Sequence, residues 1–254
     1  MSTPESDRRV AVVTGASAGI GEATARTLAA QGFHVVCVAR REGPIKELAA
    51  EIGGSAVVTD VTDERAVAAL ADGLDRVDVV VNNAGGARGL EPVADANVEH
   101  WRWMWESNVL GTLHVTRALL PKLIESGDGL IITVTSIAAL EIYDGGSGYT
   151  AAKHAQGVLH RTLRSELIGK PVRLSEVAPG MVKTDFSLRR FDGDEERADA
   201  VYKGVTPLVA EDIAEVIGFV ASRPSHVDLD LIVVRPRDQV TGATGSRFNR
   251  RDTE

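Results

Sequence analysis

The chain has 254 residues and a formal charge of −8, from 28 Lys plus Arg against 36 Asp plus Glu. An apolar fraction of 44 % with 25 % charged residues excludes a disordered chain and leaves enough apolar side chain for a sizeable core. The acidic balance disfavours nucleic acid or an anionic membrane as partner, no run reaches the ~18 apolar residues of a membrane span, and the lone Cys37 makes no internal disulfide, so a cytoplasmic setting is expected.

Short β-branched runs lie at 10–14, 34–39, 55–59, 77–82, 130–135, 172–177 and 229–234. They are nearly all apolar, as strands buried on both faces of a parallel sheet must be. Between them, helical patterns occupy 21–32, 43–52, 63–75, 97–126, 149–167 and 210–222. This alternation predicts an α/β fold of Rossmann type, a doubly wound sheet of about seven parallel strands with helices on both faces. No composition shift divides the chain, so 1–254 reads as one domain. Residues 1–8 and 247–254 are expected to be flexible tails, and the least regular stretch, 183–207, reads as a substrate lid.

The first strand runs into Thr14-Gly15-Ala16-Ser17-Ala18-Gly19-Ile20-Gly21 and then a helix. Glycines let such a turn tighten and bring backbone N–H groups close to a pyrophosphate, beside the positive end of the helix. The competing explanation is tight strand–helix packing, but the strand before and the helix after fit a dinucleotide turn. The second strand ends at Ala39, where an NAD-binding carboxylate would stand, and Arg40 and Arg41 follow. Guanidinium groups there bind a 2′-phosphate, so NADP(H) is the expected cofactor, with Arg40 the main contact and Arg41 the second. The alternative is solvated surface charge, partly answered by Glu42.

Asp60, followed by Val61, stands after the third strand, placed either to accept from an adenine amino group or to cap the next helix. Asn82-Asn83-Ala84-Gly85-Gly86 follows the fourth strand and reads as a turn lining the cofactor, or as a plain loop. Ser136 ends the fifth strand. Tyr149 and Lys153 then stand at i and i+4, on one helix face. A nearby ammonium lowers a phenol from its usual pKa of about 10 and makes it a usable general acid/base. Ser136 is placed to hydrogen-bond the substrate oxygen. The histidines show no metal-ligand spacing, and no catalytic metal is expected.

Taken together, the chain from Val10 to about Pro236 resembles the short-chain dehydrogenase/reductase family. The motifs that carry the likeness are Thr14–Gly21, Asp60, Asn82–Gly85, Asn108, Ser136, Tyr149, Lys153 and Pro179-Gly180-Met181-Val182-Lys183-Thr184. The resemblance implies that Tyr149 moves the proton, Ser136 orients the substrate and Lys153 binds the nicotinamide ribose. It implies that Asn108 holds a water in a proton relay to Lys153. It also implies cofactor contacts from Gly15, Ser17, Gly19, Ile20, Gly21, Val61, Asn82, Ala84, Gly85, Pro179, Gly180, Val182 and Thr184, and a homotetramer. Segments such as Gly89-Leu90-Glu91-Pro92 and Phe186-Ser187-Leu188-Arg189-Arg190-Phe191 look like those of NADP-dependent 3-hydroxy acid (serine or L-allo-threonine) dehydrogenases. That likeness implies a small substrate bearing a carboxylate, received by Arg190, with Arg189 the competitor. Two other readings stand beside it: a reductase of bulkier aldehydes or ketones, and a non-enzymatic NADPH-binding protein. Trp101, Trp103 and Trp105 have no place in the resemblance. Core, subunit interface and substrate wall are their candidate uses.

Overall fold

A computed structural model describes residues 8–240. The tails expected at 1–8 and 247–254 lie outside that range, apart from Arg8. The first half runs β1 (Val10–Thr14), α1 (Gly19–Ala30), β2 (His34–Ala39), α2 (Glu42–Ile52), β3 (Ser55–Val58), α3 (Glu64–Asp72) and β4 (Val79–Asn82). Then come α4 (Val98–Trp105), α5 (Gly111–Glu125), β5 (Gly129–Val134), α6 (Ser147–Glu166) and β6 (Val172–Pro179). The chain closes with α7 (Phe186–Arg190), α8 (Glu195–Ala200), α9 (Ala210–Ala221) and β7 (Leu231–Val234).

The strands form one parallel sheet in the order β3-β2-β1-β4-β5-β6-β7. Successive side chains on each strand alternate between two cores. Val13, Cys37, Val81 and Ile132 face Leu28 of α1 and Ile213 and Ile217 of α9. Val12, Val36, Val80 and Ile131 face Leu70 of α3 and Val115, Leu119 and Leu123 of α5. Fully burying a Leu or Ile stabilises by roughly 1.5–3 kcal/mol, so the two layers supply most of the driving force. From β1 the chain winds outward through β2 and β3, then returns to start β4 on the other side. The turns after β1 and β4 therefore diverge, and a crevice opens at the carboxyl ends of the strands.

Two expectations need correcting. The helix expected over 97–126 runs from 98 to 125 without a break, but not as one α-helix. Between α4 and α5, Glu106–Leu110 forms a π turn, its hydrogen bonds spanning one residue more than those of an α-helix. The stretch 183–207 is less irregular than its sequence suggests: it carries α7 and α8, the latter capped by the Asp194 carboxylate. Among the described residues, no helix is long and apolar enough to cross a membrane.

Candidate active site

The turn after β1 is bound to the turn after β4 through one hydroxyl. Thr14 Oγ1 donates to the Val81 carbonyl at 3.1 Å and accepts from the N–H groups of Asn83 and Ala84, both at 3.0 Å. Asn83 Nδ2 donates back to the Thr14 carbonyl at 2.9 Å. Gly15 and Gly19 have positive φ, at 68° and 57°. Gly21 is needed for space instead, since a Cβ there would overlap the Gly15 carbonyl. These glycines shape one wall of a groove of about 780 Å³ that runs past Ser17, Gly19, Ile20, Ala84 and Gly85.

Arg40, Arg41, Asp60 and Val61 close the far end of this groove. The two arginines differ. Arg41 lies on the glycine turn, donating from Nη2 to the Ser17 carbonyl at 2.8 Å and to its Oγ at 3.1 Å. Arg40, also exposed, stands 3.7 Å from the Asp60 carboxylate. Asp60 also accepts from the N–H and hydroxyl of Thr62, so it shapes its own turn, while Asp63 caps α3.

Asn108 sits in the π turn, fully buried. Its side chain clamps the turn after β4: Nδ2 donates to the Gly86 carbonyl at 2.9 Å, and Oδ1 accepts from the Gly86 N–H at 3.2 Å. Gly85, at φ 152°, leaves no room for a Cβ against that same Oδ1. Asn82 is turned inward and donates to Thr116 Oγ1 at 2.9 Å. It and Gly21 therefore stand behind the groove wall. Trp103 lies on the wall, packed against Gly86 and stacked 4.9 Å under Arg88.

Ser136, Tyr149 and Lys153 converge because β5 ends where α6 begins to cross it. The Ser136 hydroxyl donates to the Pro179 carbonyl at 3.4 Å and its Oγ accepts from the Ala138 N–H at 3.1 Å, which leaves it beside the Tyr149 phenol. Lys153 Nζ lies 5.8 Å from the Tyr149 ring centroid. It donates to the Val134 carbonyl at 3.1 Å and to Gln156 Oε1 at 2.8 Å. Burial pushes the Tyr149 hydroxyl above the ordinary phenol value, and Tyr143 adds to this; Ser136 and Arg190 pull it back. Burial pushes Lys153 down to about 7, against an upward pull from Glu176. The expectation of a phenol lowered by the ammonium is thus corrected for this structure: desolvation outweighs the neighbouring charges.

Above Tyr149 lies a cavity of about 200 Å³. It meets the groove at Ile20, Asn83, Gly85, Thr184 and Phe186. Pro179, Gly180 and Val182 line it from the end of β6. Arg190 reaches it from α7, 9 % exposed, with its guanidinium carbon 5.9 Å from the Tyr149 ring centroid. Its Nη1 donates to the Tyr143 hydroxyl at 3.2 Å. Arg189 does not converge on this point; it pairs with Asp185 on the exposed side of α7.

Sequence reasoning missed Tyr143, Tyr202 and Gln239 as cavity residues, and Gln156 and Thr112 behind it. Tyr202 donates to the Val182 carbonyl at 3.0 Å, and Gln239 Oε1 accepts from the Met181 N–H at 2.8 Å. No local signal marks them, because each acts across a long sequence separation.

The model for short chain dehydrogenases matches residues 9–195. A Mycobacterium tuberculosis (strain ATCC 25618 / H37Rv) protein named as an uncharacterized oxidoreductase is 75 % identical over 243 residues, covering 96 % of this chain and 97 % of its own. The serine 3-dehydrogenase of Agrobacterium fabrum is 39 % identical over 234 residues, covering 90 % and 94 %. The closed form of a serine dehydrogenase complexed with NADP+ superposes with a TM-score of 0.88 at 35 % identity, covering 91 % of this chain and 96 % of that one.

Proposed function

The chain belongs to the short-chain dehydrogenase family, and on that footing we propose that it interconverts a small 3-hydroxy acid and its semialdehyde with NADP(H). One observation carries the substrate class. Arg190 brings a buried guanidinium within 5.9 Å of the Tyr149 ring, in a cavity of only about 200 Å³. A buried cation beside a reacting hydroxyl suits a substrate carrying its own carboxylate, and serine, acted on by a relative of that name, is a 3-hydroxy acid.

The groove suits a dinucleotide on its own features. A Cβ at Gly15 would meet Asn83 Nδ2 at 2.7 Å and the Ala84 backbone, so glycine there lets the turns after β1 and β4 close on each other, and Gly15, Ser17, Ala18 and Gly19 line the groove they form. Gly15, Gly19, Ile20 and Gly21 would form the pyrophosphate turn, and Ser17, Arg40 and Arg41 would take the 2′-phosphate. Asp60 and Val61 would hold the adenine, and Ala84 and Gly85 the middle, with Asn82 behind them on Thr116. Pro179, Gly180, Val182 and Thr184 would hold the nicotinamide. When bound, NADP(H) supplies or accepts the hydride.

Every other step falls to the chain. Arg190 receives the carboxylate and Ser136 hydrogen-bonds the reacting oxygen. Tyr149 takes the hydroxyl proton as the alcohol is oxidised, or returns it on reduction. Lys153 holds the ribose beside Tyr149. Asn108 fixes the turn against which these groups align. Residues 1–254 act as one domain with 183–207 as lid. A homotetramer is supported by exposed Leu113 on α5 and Val158 on α6. Light scattering is expected to give about four times 27.0 kDa, and a monomer would remove that part.

The test follows NADPH absorbance with 3-hydroxy acids, semialdehydes and uncharged ketones. Turnover with the carboxylate-bearing compounds supports the reading. Preference for bulky uncharged ketones turns it into a different reductase, and tight NADPH binding without turnover makes it a binding protein.

A further inference from the structure

Behind the catalytic pair runs a chain of four buried groups. Lys153 Nζ donates to Gln156 Oε1 at 2.8 Å, Gln156 Nε2 donates to Thr112 Oγ1 at 2.8 Å, and Thr112 Oγ1 donates to the Asn108 carbonyl at 2.7 Å. Gln156 and Asn108 are 0 % exposed, Thr112 is 3 % and Lys153 is 4 %.

The direction of every bond in this chain is forced. A carbonyl only accepts, so the single hydroxyl hydrogen of Thr112 must point at Asn108. The Thr112 oxygen is then left as an acceptor, and only the NH₂ side of the Gln156 amide can face it. Oε1 therefore faces Lys153, whose ammonium only donates. The polarity starts at the π turn and ends at the lysine. A buried amide satisfied at both ends is rigid, and leaving either end unmet would carry the full desolvation cost.

We propose that Gln156 is a positioning residue for Lys153, its side-chain oxygen fixing Nζ beside Tyr149 and holding it as the ammonium. This rests on the reading of Tyr149 and Lys153 given above. Gln156 and the Val134 carbonyl fix two of the three donors of Lys153, which sets where the third points. Charged and titratable groups facing the pair act from further off. Glu176 on β6 favours the ammonium, while Tyr143, before α6, and Arg190, on α7, act on Tyr149. The Glu176 carboxylate is itself engaged by Thr135 Oγ1 at 2.9 Å and by Arg161 at 3.2 Å. The contacts that oppose the burial of Lys153 at close range are thus neutral, the Val134 carbonyl and the shorter one from Gln156, and only the second belongs to a side chain.

The experiment follows the Lys153 side chain directly, in the full chain labelled with ¹³Cε-lysine, its resonance assigned with Lys153→Met. Two variants bracket the parent. Gln156→Met keeps the volume and removes the acceptor, so the titration midpoint of Lys153 is expected to fall by about one pH unit. Gln156→Glu keeps an acceptor and adds charge, so the midpoint is expected to rise. Opposite shifts of this kind do not follow from packing alone. A midpoint unmoved in folded Gln156→Met overturns the proposal, and where that variant does not fold, an unmoved midpoint in Gln156→Glu overturns it. The measurement needs no turnover, so absence of activity in the parent would count against the catalytic reading and leave this result to be judged by itself.

Discussion

Arg190 and Gly89 hold each other twice: Arg190 Nε donates to the Gly89 carbonyl at 2.7 Å, and the Gly89 N–H donates to the Arg190 carbonyl at 3.1 Å. The two residues are 101 positions apart. The contact joins α7 to the loop after β4, so the side chain that brings a cation to the cavity also ties the two segments together.

Replacing Arg190 should therefore separate two effects. In Arg190→Met, kcat/KM for 3-hydroxypropanoate is expected to fall roughly 10- to 100-fold, the worth of one charge-assisted hydrogen bond or slightly more. An uncharged alcohol of similar size should lose much less. Steady-state kinetics with both substrates checks this, and equal losses would reduce Arg190 to a tie between α7 and the loop after β4.

At the other end of the groove, Arg41 is already seated on Ser17 while Arg40 leans toward Asp60. Arg40→Ala and Arg41→Ala are each expected to weaken NADPH binding about ten-fold with little change for NADH, and Arg41 should matter at least as much as Arg40. Titrating the fluorescence of both cofactors measures this. Comparable efficiency with NADH and NADPH in the parent would remove the basis for a 2′-phosphate site.

The smallest change with a large expected effect is Gly21→Ala. The new Cβ would overlap the Gly15 carbonyl, so the glycine turn must shift. Overpacking of this kind costs about 1–3 kcal/mol. The apparent Tm should drop by several degrees and NADPH affinity should fall with it. A variant with parental affinity would mean that the turn adapts without cost.

His160 carries a pH dependence separate from catalysis. It is buried, with Nδ1 on Thr133 Oγ1 at 3.0 Å, and burial holds it down to about 4, with Arg164 and Arg161 adding to this against Asp230. The unfolded chain binds this proton at higher pH than the native one, so stability is lost as pH falls from about 6.5 to about 4. The loss across that window is about 3 kcal/mol. Urea unfolding at pH 7 and pH 4.5 should show a pH effect smaller by about 2–3 kcal/mol in His160→Phe than in the parent. An equal pH effect in both would show that His160 takes no part.

Much of this architecture is legible in the chain itself. The β-branched runs and the glycine turn are local patterns with local causes, and the Ser136, Tyr149 and Lys153 set follows from a strand end and a helix repeat. The π turn is different. Glu106-Ser107-Asn108-Val109-Leu110 holds neither Gly nor Pro, and its helical periodicity runs on without visible interruption. Its cause is tertiary: Asn108 is drawn onto Gly86 and Thr112 onto the Asn108 carbonyl. Gln156 was equally silent, because its partner Thr112 lies 44 residues away. Trp103 shows its use only once Gly86 and Arg88 are beside it.

The π turn also divides the molecule in a way that no substitution can. Its extra residue is an insertion absorbed within one turn, so α4 and α5 keep their phase on either side. Deleting one residue from 106–110 would restore a single α-helix and leave the packing of Leu119 and Leu123 in register. The same deletion would take away the widened turn in which Asn108 meets Gly86. Fold and site are thus encoded at different lengths of the same helix, and a chain one residue shorter would retain the first without the second.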